Sequence, residues 1–352
     1  MLVNIKRTDL IEALENSIKA VSKKPQIEII GYTHISCSDE IKITGYNLTL
    51  GIVSTVNGEV LQKGACCFEG ATVLNFIKKC SEESVSLIVE NNQMTITCGK
   101  PKLKLSVRDD SDFPILPDLK STRRIEIQDL SDKISKVAFC TAENTQKPVM
   151  SGVNIKASNG ILTMTGCDGN RFSVISEECE AANINITIPK NVIENIKSIV
   201  ENKKISIDFD EKNIKIDIEN ITIYARLLSG EYLNLSSFIS RSGGISFAAN
   251  GKRVLEALER LSVIAEPSSP LVVKLEKDVM SLYCKTPKAE LEELVTTDYK
   301  GEDLKIGFNF KYFFEAIKGT EEVNFDILNA TSGLLIKEKN RVQMVLPVRI
   351  KA

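Results

Sequence analysis

The sequence repeats itself three times at an interval close to 120 residues. Amphipathic stretches begin near Arg7, Asp129 and Asn250, spaced by 122 and 121 residues, and a second set begins near Thr72, Pro189 and Asn309, spaced by 117 and 120. Pairs of alternating runs fall in the same register: VSLIVENNQMTITC (85–98), ISIDFDEKNIKIDI (205–218) and VNFDILNATSGLLI (323–336). Solenoid repeats are much shorter than this, so one long period implies tandem domains of a single design. The 352 residues give each copy enough chain for its own core. We place the copies at 1–120, 121–240 and 241–352, joined through SDFPILPDLKS (111–121) and LSSFISRSGG (235–244), where the composition shifts.

Periodicity supplies the elements. Leu10, Ile11, Leu14, Ile18 and Val21 recur at helical spacing, as do Val254, Leu255, Leu258, Leu261 and Ala265. Shorter helical patterns are carried by Val192, Ile193, Ile196 and Val200, and by Phe310, Phe313, Phe314 and Ile317. Between them EIKITGYNLTLGIVSTV and NIKIDIENITIYARLL alternate apolar and polar residues and are rich in Ile, Thr and Val, the pattern of half-buried antiparallel strands. Turn residues in ENNQ, DEKN and NATSG close hairpins. The expected fold is α+β: three tandem modules, each with two helices covering one face of antiparallel sheet.

Charge is informative once sorted by element. The six helical segments (7–24, 72–80, 129–142, 189–200, 250–265 and 309–320) together carry +6, which leaves −8 elsewhere in a chain of net charge −2. A single lysine on a helix is ordinarily a solvated face. Five net-positive helical segments and one neutral one in an acidic chain imply a cationic surface if the modules share one, and such a surface holds a polyanion through diffuse contacts. Lys78, Lys79, Lys136, Lys197, Lys252 and Arg253 are the candidates.

Other function classes fare poorly. No apolar run approaches the roughly 18 residues of a spanning helix, and MLVNIKRTDLIEALE does not resemble a signal peptide, so a cytoplasmic protein is expected. Nine cysteines without CxxC spacing read as reduced thiols rather than a disulfide framework. One histidine, His34, in a strand-like run, makes a metal or cofactor site unexpected. No GxSxG, HExxH or Gly-rich phosphate loop occurs, and the turn TGCDGNRF (165–172) gives Asp168 no evident catalytic partner. The chain is not expected to be an enzyme.

The run MSGVNIKASNGILTMTGCDGNRFSV (150–174) resembles the second domain of bacterial sliding clamps, the beta subunit of DNA polymerase III. TGYNL (44–48), GFNFKYF (307–313) and the ending MVLPVRI (344–350) match that family in order, so the resemblance spans essentially the whole chain. It implies a head-to-tail homodimeric ring with helices inside around double-stranded DNA and sheets outside. It also implies a processivity factor, associated with the nucleoid, that tethers the polymerase III catalytic subunit, the clamp loader and other clamp-motif proteins. Carried over by motif, the peptide pocket comprises Met150, Cys167, Gly169, Asn170, Arg171 and Phe172, with Leu233, Ser237 and Phe238 from the joint. From the third module it takes Asn309, Tyr312, Gly333, Met344, Leu346, Pro347, Val348 and Arg349. Tyr312 and Asn309 would flank the polar start of a bound motif, and Arg171 would either contact it or brace its own loop.

Lys24 matches a family loop position facing the duplex, and Asn144 is expected to contact the duplex with it. Leu103 and Leu105 on one side and Ile264 on an opposing helix end are expected to form the dimer interface, so a charged residue at Ile264 is expected to give monomers. The sequence departs from the family where YLNL (232–235) replaces FPDY, where Ser237 and Phe238 replace an arginine and a smaller aliphatic residue, and where Cys167 and Asn170 replace Thr and His. These changes imply a shifted peptide preference and admit a specialised second clamp. The competing readings are a three-domain adaptor without a DNA role and an enzyme acting on nucleotides or sugars.

Overall fold

The computed structural model describes residues 1–119, 123–143, 145–180, 183–201 and 203–350, so Asn144, Lys351 and Ala352 lie outside the described residues. Each expected helix forms close to where its segment begins, but ends earlier than the segment does: Arg7–Lys19, Gly70–Ile77, Leu130–Ser135, Lys190–Ile196, Gly251–Leu261 and Phe310–Ile317. Lys78, Lys79, Lys136, Lys197 and Lys318 therefore stand just past helix C-termini. Cations there complement the helix dipole, a local reason for the bias in charge that is independent of any ligand. The joint at 235–244 holds one further short helix, Ser236–Ile239.

The three alternating runs form the expected hairpins: Ser84–Glu90 with Gln93–Thr97, Ile205–Phe209 with Asn213–Ile218, and Glu322–Ile327 with Leu334–Glu338. Each copy divides its strands into two groups. One holds the first strand and the last three, joined in the first copy by Gly58–Gln62; the other holds four strands from the middle. Among the described residues these assemble into sheets of five, eight, eight and four strands. The eight-stranded sheets arise because the middle group of one copy pairs with the first-and-last group of the next. Leu50–Val56 lies antiparallel to Ile221–Arg226, and Arg171–Glu178 antiparallel to Arg341–Val345.

Contacts accordingly divide the chain into two compact units, Met1–Asp132 with Ile188–Leu228 and Lys133–Thr187 with Ser229–Ala352, each containing one eight-stranded sheet. In the first unit Leu10 and Leu14 of the opening helix and Val73 and Ile77 of the next are buried against Ile35, Ile43 and Phe68. In the second, Val254, Leu258 and Phe313 join Leu282, Phe308 and Phe325.

The two strand ends that carry the TG motif show why glycine is needed there. A Cβ at Gly45 would stand 1.9 Å from the Ser17 carbonyl oxygen, and one at Gly166 would stand 2.0 Å from that of Val137. In both copies a helix end presses on the strand at the residue before the turn, and only hydrogen fits.

Candidate functional site

The turn after Gly166 is built from its own polar atoms. Asp168 Oδ1 accepts the backbone N–H groups of Asn170 and Arg171 at 2.9 and 3.0 Å, while Gly169 takes φ +91°. An aspartate followed by glycine suits this geometry, since the carboxylate replaces a backbone acceptor and glycine meets no Cβ penalty.

The Arg171 side chain then folds back beneath the turn. Its Nε donates to Asp168 Oδ2 at 2.9 Å, one terminal nitrogen pairs with Glu315, and the other donates to the Phe139 carbonyl at 2.6 Å. The guanidinium carbon sits 4.1 Å from the Tyr312 ring centre and 5.3 Å from that of Phe139. Burial opposes the Arg171 charge, but the neighbouring Cys140 thiol and the two carboxylates outweigh it, so the pKa moves up. Of the two roles open to Arg171, the structure shows the brace. Tyr312 is part of that brace, and Asn309, expected beside a ligand, has its side-chain oxygen engaged by the Tyr312 N–H as the cap of helix Phe310–Ile317.

Above the brace lies an apolar cavity of about 150 Å³, lined by Cys167, Gly169, Asn170, Arg171, Phe172, Leu233, Leu235, Phe238, Met344 and Leu346. Strand register assembles it. Phe172 stands opposite Met344, and the Leu346 N–H donates to the Asn170 carbonyl at 2.8 Å, which sets Leu346 at the rim. Gly333 is behind this wall: a Cβ there would come within 2.7 Å of Met344 Sδ and 3.1 Å of a Leu346 methyl. Met150 is buried in the same cluster with its methyl toward Gly169. The joint closes the opposite side. Tyr232 donates to the Gly152 carbonyl at 3.4 Å, and Phe238, 46% exposed, holds its ring 6.5 Å from that of Phe172.

Nine of the seventeen expected pocket residues thus line one cavity, and Met150, Gly333, Tyr312 and Asn309 support it from behind. Ser237, Pro347, Val348 and Arg349 do not line it; Ser237, Val348 and Arg349 are exposed, and Val348 bridges to Gly307 through its backbone. Leu235 is an addition, and its signal was the two-residue spacing from Leu233 in YLNL. Phe139 and Glu315 gave no sequence signal, since nothing local marks them as partners of Arg171.

Chemically the cavity is suited to burying an apolar side chain. Burial pushes the Cys167 and Tyr232 pKa values up, keeping both neutral. The nearby carboxylates of Asp168 and Glu315 are engaged by Arg171. Among the described residues no group of three or more His, Cys, Asp or Glu side chains is placed to hold a metal ion, and no helix is long and apolar enough to cross a membrane. All nine cysteines are free thiols, seven of them buried.

The DNA-facing candidates among the described residues are on the surface. Lys24, Lys79, Lys136, Lys197 and Lys252 are exposed, while Lys78 pairs with Glu15 at 2.5 Å and Arg253 with Glu256 at 3.3 Å. Leu103 and Leu105 lie on Lys102–Ser106, one of the two outer strands of the five-stranded sheet. Ile264 is half-buried and packs against the margin of its own module's core. The exposed apolar residues at that end are Val263 (83%) and Leu294 (70%), the latter on the edge strand Glu290–Thr296.

Comparison with known proteins accounts for the threefold design. Models of the N-terminal, central and C-terminal domains of the DNA polymerase III beta subunit match residues 1–117, 124–234 and 242–349. The chain belongs to the DNA polymerase III beta subunit family. It is 26% identical over 376 residues to the beta sliding clamp of Bacillus subtilis, covering 99% of this chain and 100% of the relative. A beta sliding clamp of Staphylococcus epidermidis is 27% identical over 374 residues, with 99% of each chain covered. Among solved structures, a putative DNA polymerase III beta subunit from Eubacterium rectale superposes with a TM-score of 0.94 at 22% identity, covering 99% of this chain and 100% of that one. The sliding clamp of Bacillus subtilis does so at 0.93 and 24%, with both chains fully covered. Family and fold agree with the sequence reading.

Proposed function

We propose that the chain is a sliding clamp: two copies close head to tail into a ring around duplex DNA, and the cavity beside Phe172 holds peptide segments of partner proteins. The observation that carries the reading is how the sheets join. Leu50–Val56 and Arg171–Glu178 are corresponding strands of the first two copies, and each pairs with the last strand of the following copy. The third counterpart of that pair is left at two sheet edges, Glu290–Thr296 in the third copy and Lys102–Ser106 in the first. An edge strand exposes unpaired backbone groups, and a heterologous contact that closes after two chains covers both edges twice. Lys102 and Lys104 on one edge face the opposite sign of charge on the other, where Glu290, Glu292 and Glu293 lie.

In this reading the modules divide at 120 and 240, the peptide partners are the polymerase III catalytic subunit, the clamp loader and other clamp-motif proteins, and the site of action is the nucleoid in the cytoplasm. Lys24, Lys79, Lys197 and Lys252, which make no ion pair among the described residues, contact sugar–phosphate rather than bases. Binding is weak, sequence-blind and steeply salt-dependent. The chain performs no catalytic step and hydrolyses no ATP, since ring opening falls to a separate loader. Phe238 and Leu233, where the family has smaller or stiffer residues, favour an altered peptide preference and hence a specialised clamp as the second reading. Loading onto nicked circular DNA and then linearising it tests encirclement: retention on the circle and release on cutting are expected, and equal retention on both would refute it.

A further inference from the structure

A second hollow, of about 410 Å³, lies on the same sheet face as the apolar cavity. The two share Leu233 and Leu235, so the joint forms a low ridge with an apolar basin on one side and this hollow on the other. Strand alternation explains the common face. Cys167, Thr165 and Thr163 follow one another at every second residue of Ile161–Cys167, and Phe172 and Val174 do the same on the neighbouring strand. Register sets Cys167 opposite Phe172 in the basin, then Thr165 opposite Val174 beyond the ridge, with Lys156 opposite Thr163 farther out.

Across the ridge the chemistry changes from apolar to polar. The floor is Asn154, Thr163 and Thr165, and the Asn154 amide nitrogen is already engaged by Asn185, the Ile186 carbonyl and Thr187. Lys156 is exposed at the rim and makes no ion pair among the described residues. Glu231 is also exposed in the lining, beside the joint.

We propose that a peptide seated in the apolar cavity continues over the Leu233–Leu235 ridge, and that its next few residues lie extended in the polar hollow with a carboxylate on Lys156. The inference rests on the peptide reading above. Continuity selects the occupant: a chain leaving the cavity on this side must cross the ridge, and each extended residue advances it by roughly 3.3 Å. Charge selects its composition, because Lys156 attracts a carboxylate while Glu231 repels one placed close to the ridge. A solvated ion pair contributes at most about fivefold in affinity and is screened by salt.

Fluorescence anisotropy on the full chain with three peptides tests this: a short Gln-, Leu- and Phe-containing motif, and the same motif extended by Ser-Ser-Asp-Ser at one end or at the other. One extended peptide is expected to bind about threefold tighter than the short one at low salt. Lys156→Glu should abolish that gain without changing the short peptide's affinity, and placing Lys for Asp in the extension should restore it on the variant. Equal binding of all three peptides, or a gain that survives Lys156→Glu, overturns the inference while leaving the cavity's role intact. Absence of binding by all three overturns the peptide reading and this inference with it.

Discussion

Arg171→Met separates the brace from the ligand site. The substitution keeps much of the side-chain length but removes every donor. It leaves Asp168 and Glu315 without their cation and the Phe139 carbonyl without its donor. Breaking a buried ion pair by removing one partner costs about 3–5 kcal/mol. Side-chain exposure is 5% for Arg171 and 11% for Asp168, so that pair counts nearly in full, whereas Glu315 at 29% is partly solvated and recovers some hydration. A loss of about 3 kcal/mol is therefore expected, which in a unit of this size lowers the melting temperature by about 6–12 °C. The apolar walls do not depend on the guanidinium: Phe172, Met344 and Leu346 are set by strand pairing, and the turn keeps its two bonds to Asp168 Oδ1. Below the transition, peptide affinity should change by less than about threefold. Differential scanning fluorimetry alongside anisotropy at 20 °C measures both quantities. A shift under about 2 °C accompanied by a tenfold loss of affinity would show that Arg171 is a ligand contact and that the bracing argument is wrong.

Leu346→Ala should weaken peptide binding by about 1–2 kcal/mol, roughly five- to thirtyfold in Kd, because it strips a half-buried side chain from the rim while leaving the dimer intact; unchanged titrations would place the anchor elsewhere. Val263→Glu is expected to shift the chain from dimer to monomer on sizing at micromolar concentration without changing its melting temperature, whereas a charge at half-buried Ile264 should lower stability as well; a Val263→Glu protein that stays dimeric would contradict the edge-to-edge closure. His34 is stacked on Phe113 at 4.7 Å, and burial holds its pKa below the ordinary value against the opposing pull of Asp110. The unfolded chain then takes the proton first, so stability should fall as pH drops through about 6.5, and His34→Gln should flatten that slope in urea titrations; identical slopes would remove His34 as the cause.

Much of this protein is determined by local pattern. The helix starts, the hairpins and the threefold period follow from 3.6- and two-residue spacings, which act over a few residues and so are legible in one sequence. Asp168-Gly169 reads as a turn for the same reason. The sequence also marks most cavity residues, but only through resemblance, since Leu346 and Phe172 carry no sign of being neighbours. Tertiary structure decided the rest. The helices end before the expected segments do: the Val21 N–H reaches back only three residues, to Ile18, and although Val200 and Ala265 still donate to the Ile196 and Leu261 carbonyls, the helix does not continue past them. Arg171 became a brace because Phe139 and Glu315, 32 and 144 residues away in sequence, converge on it. Just past a helix end Val263 is exposed while Ile264 is half-buried against the core, because one residue of phase changes which side of the chain meets solvent. The two compact units cut through the second copy because strand pairing across the copies is continuous, so the sheets, rather than the repeats, set where contacts are dense. Backbone pairing between distant strands leaves no periodic trace in side-chain pattern, and for that reason only the folded chain shows it.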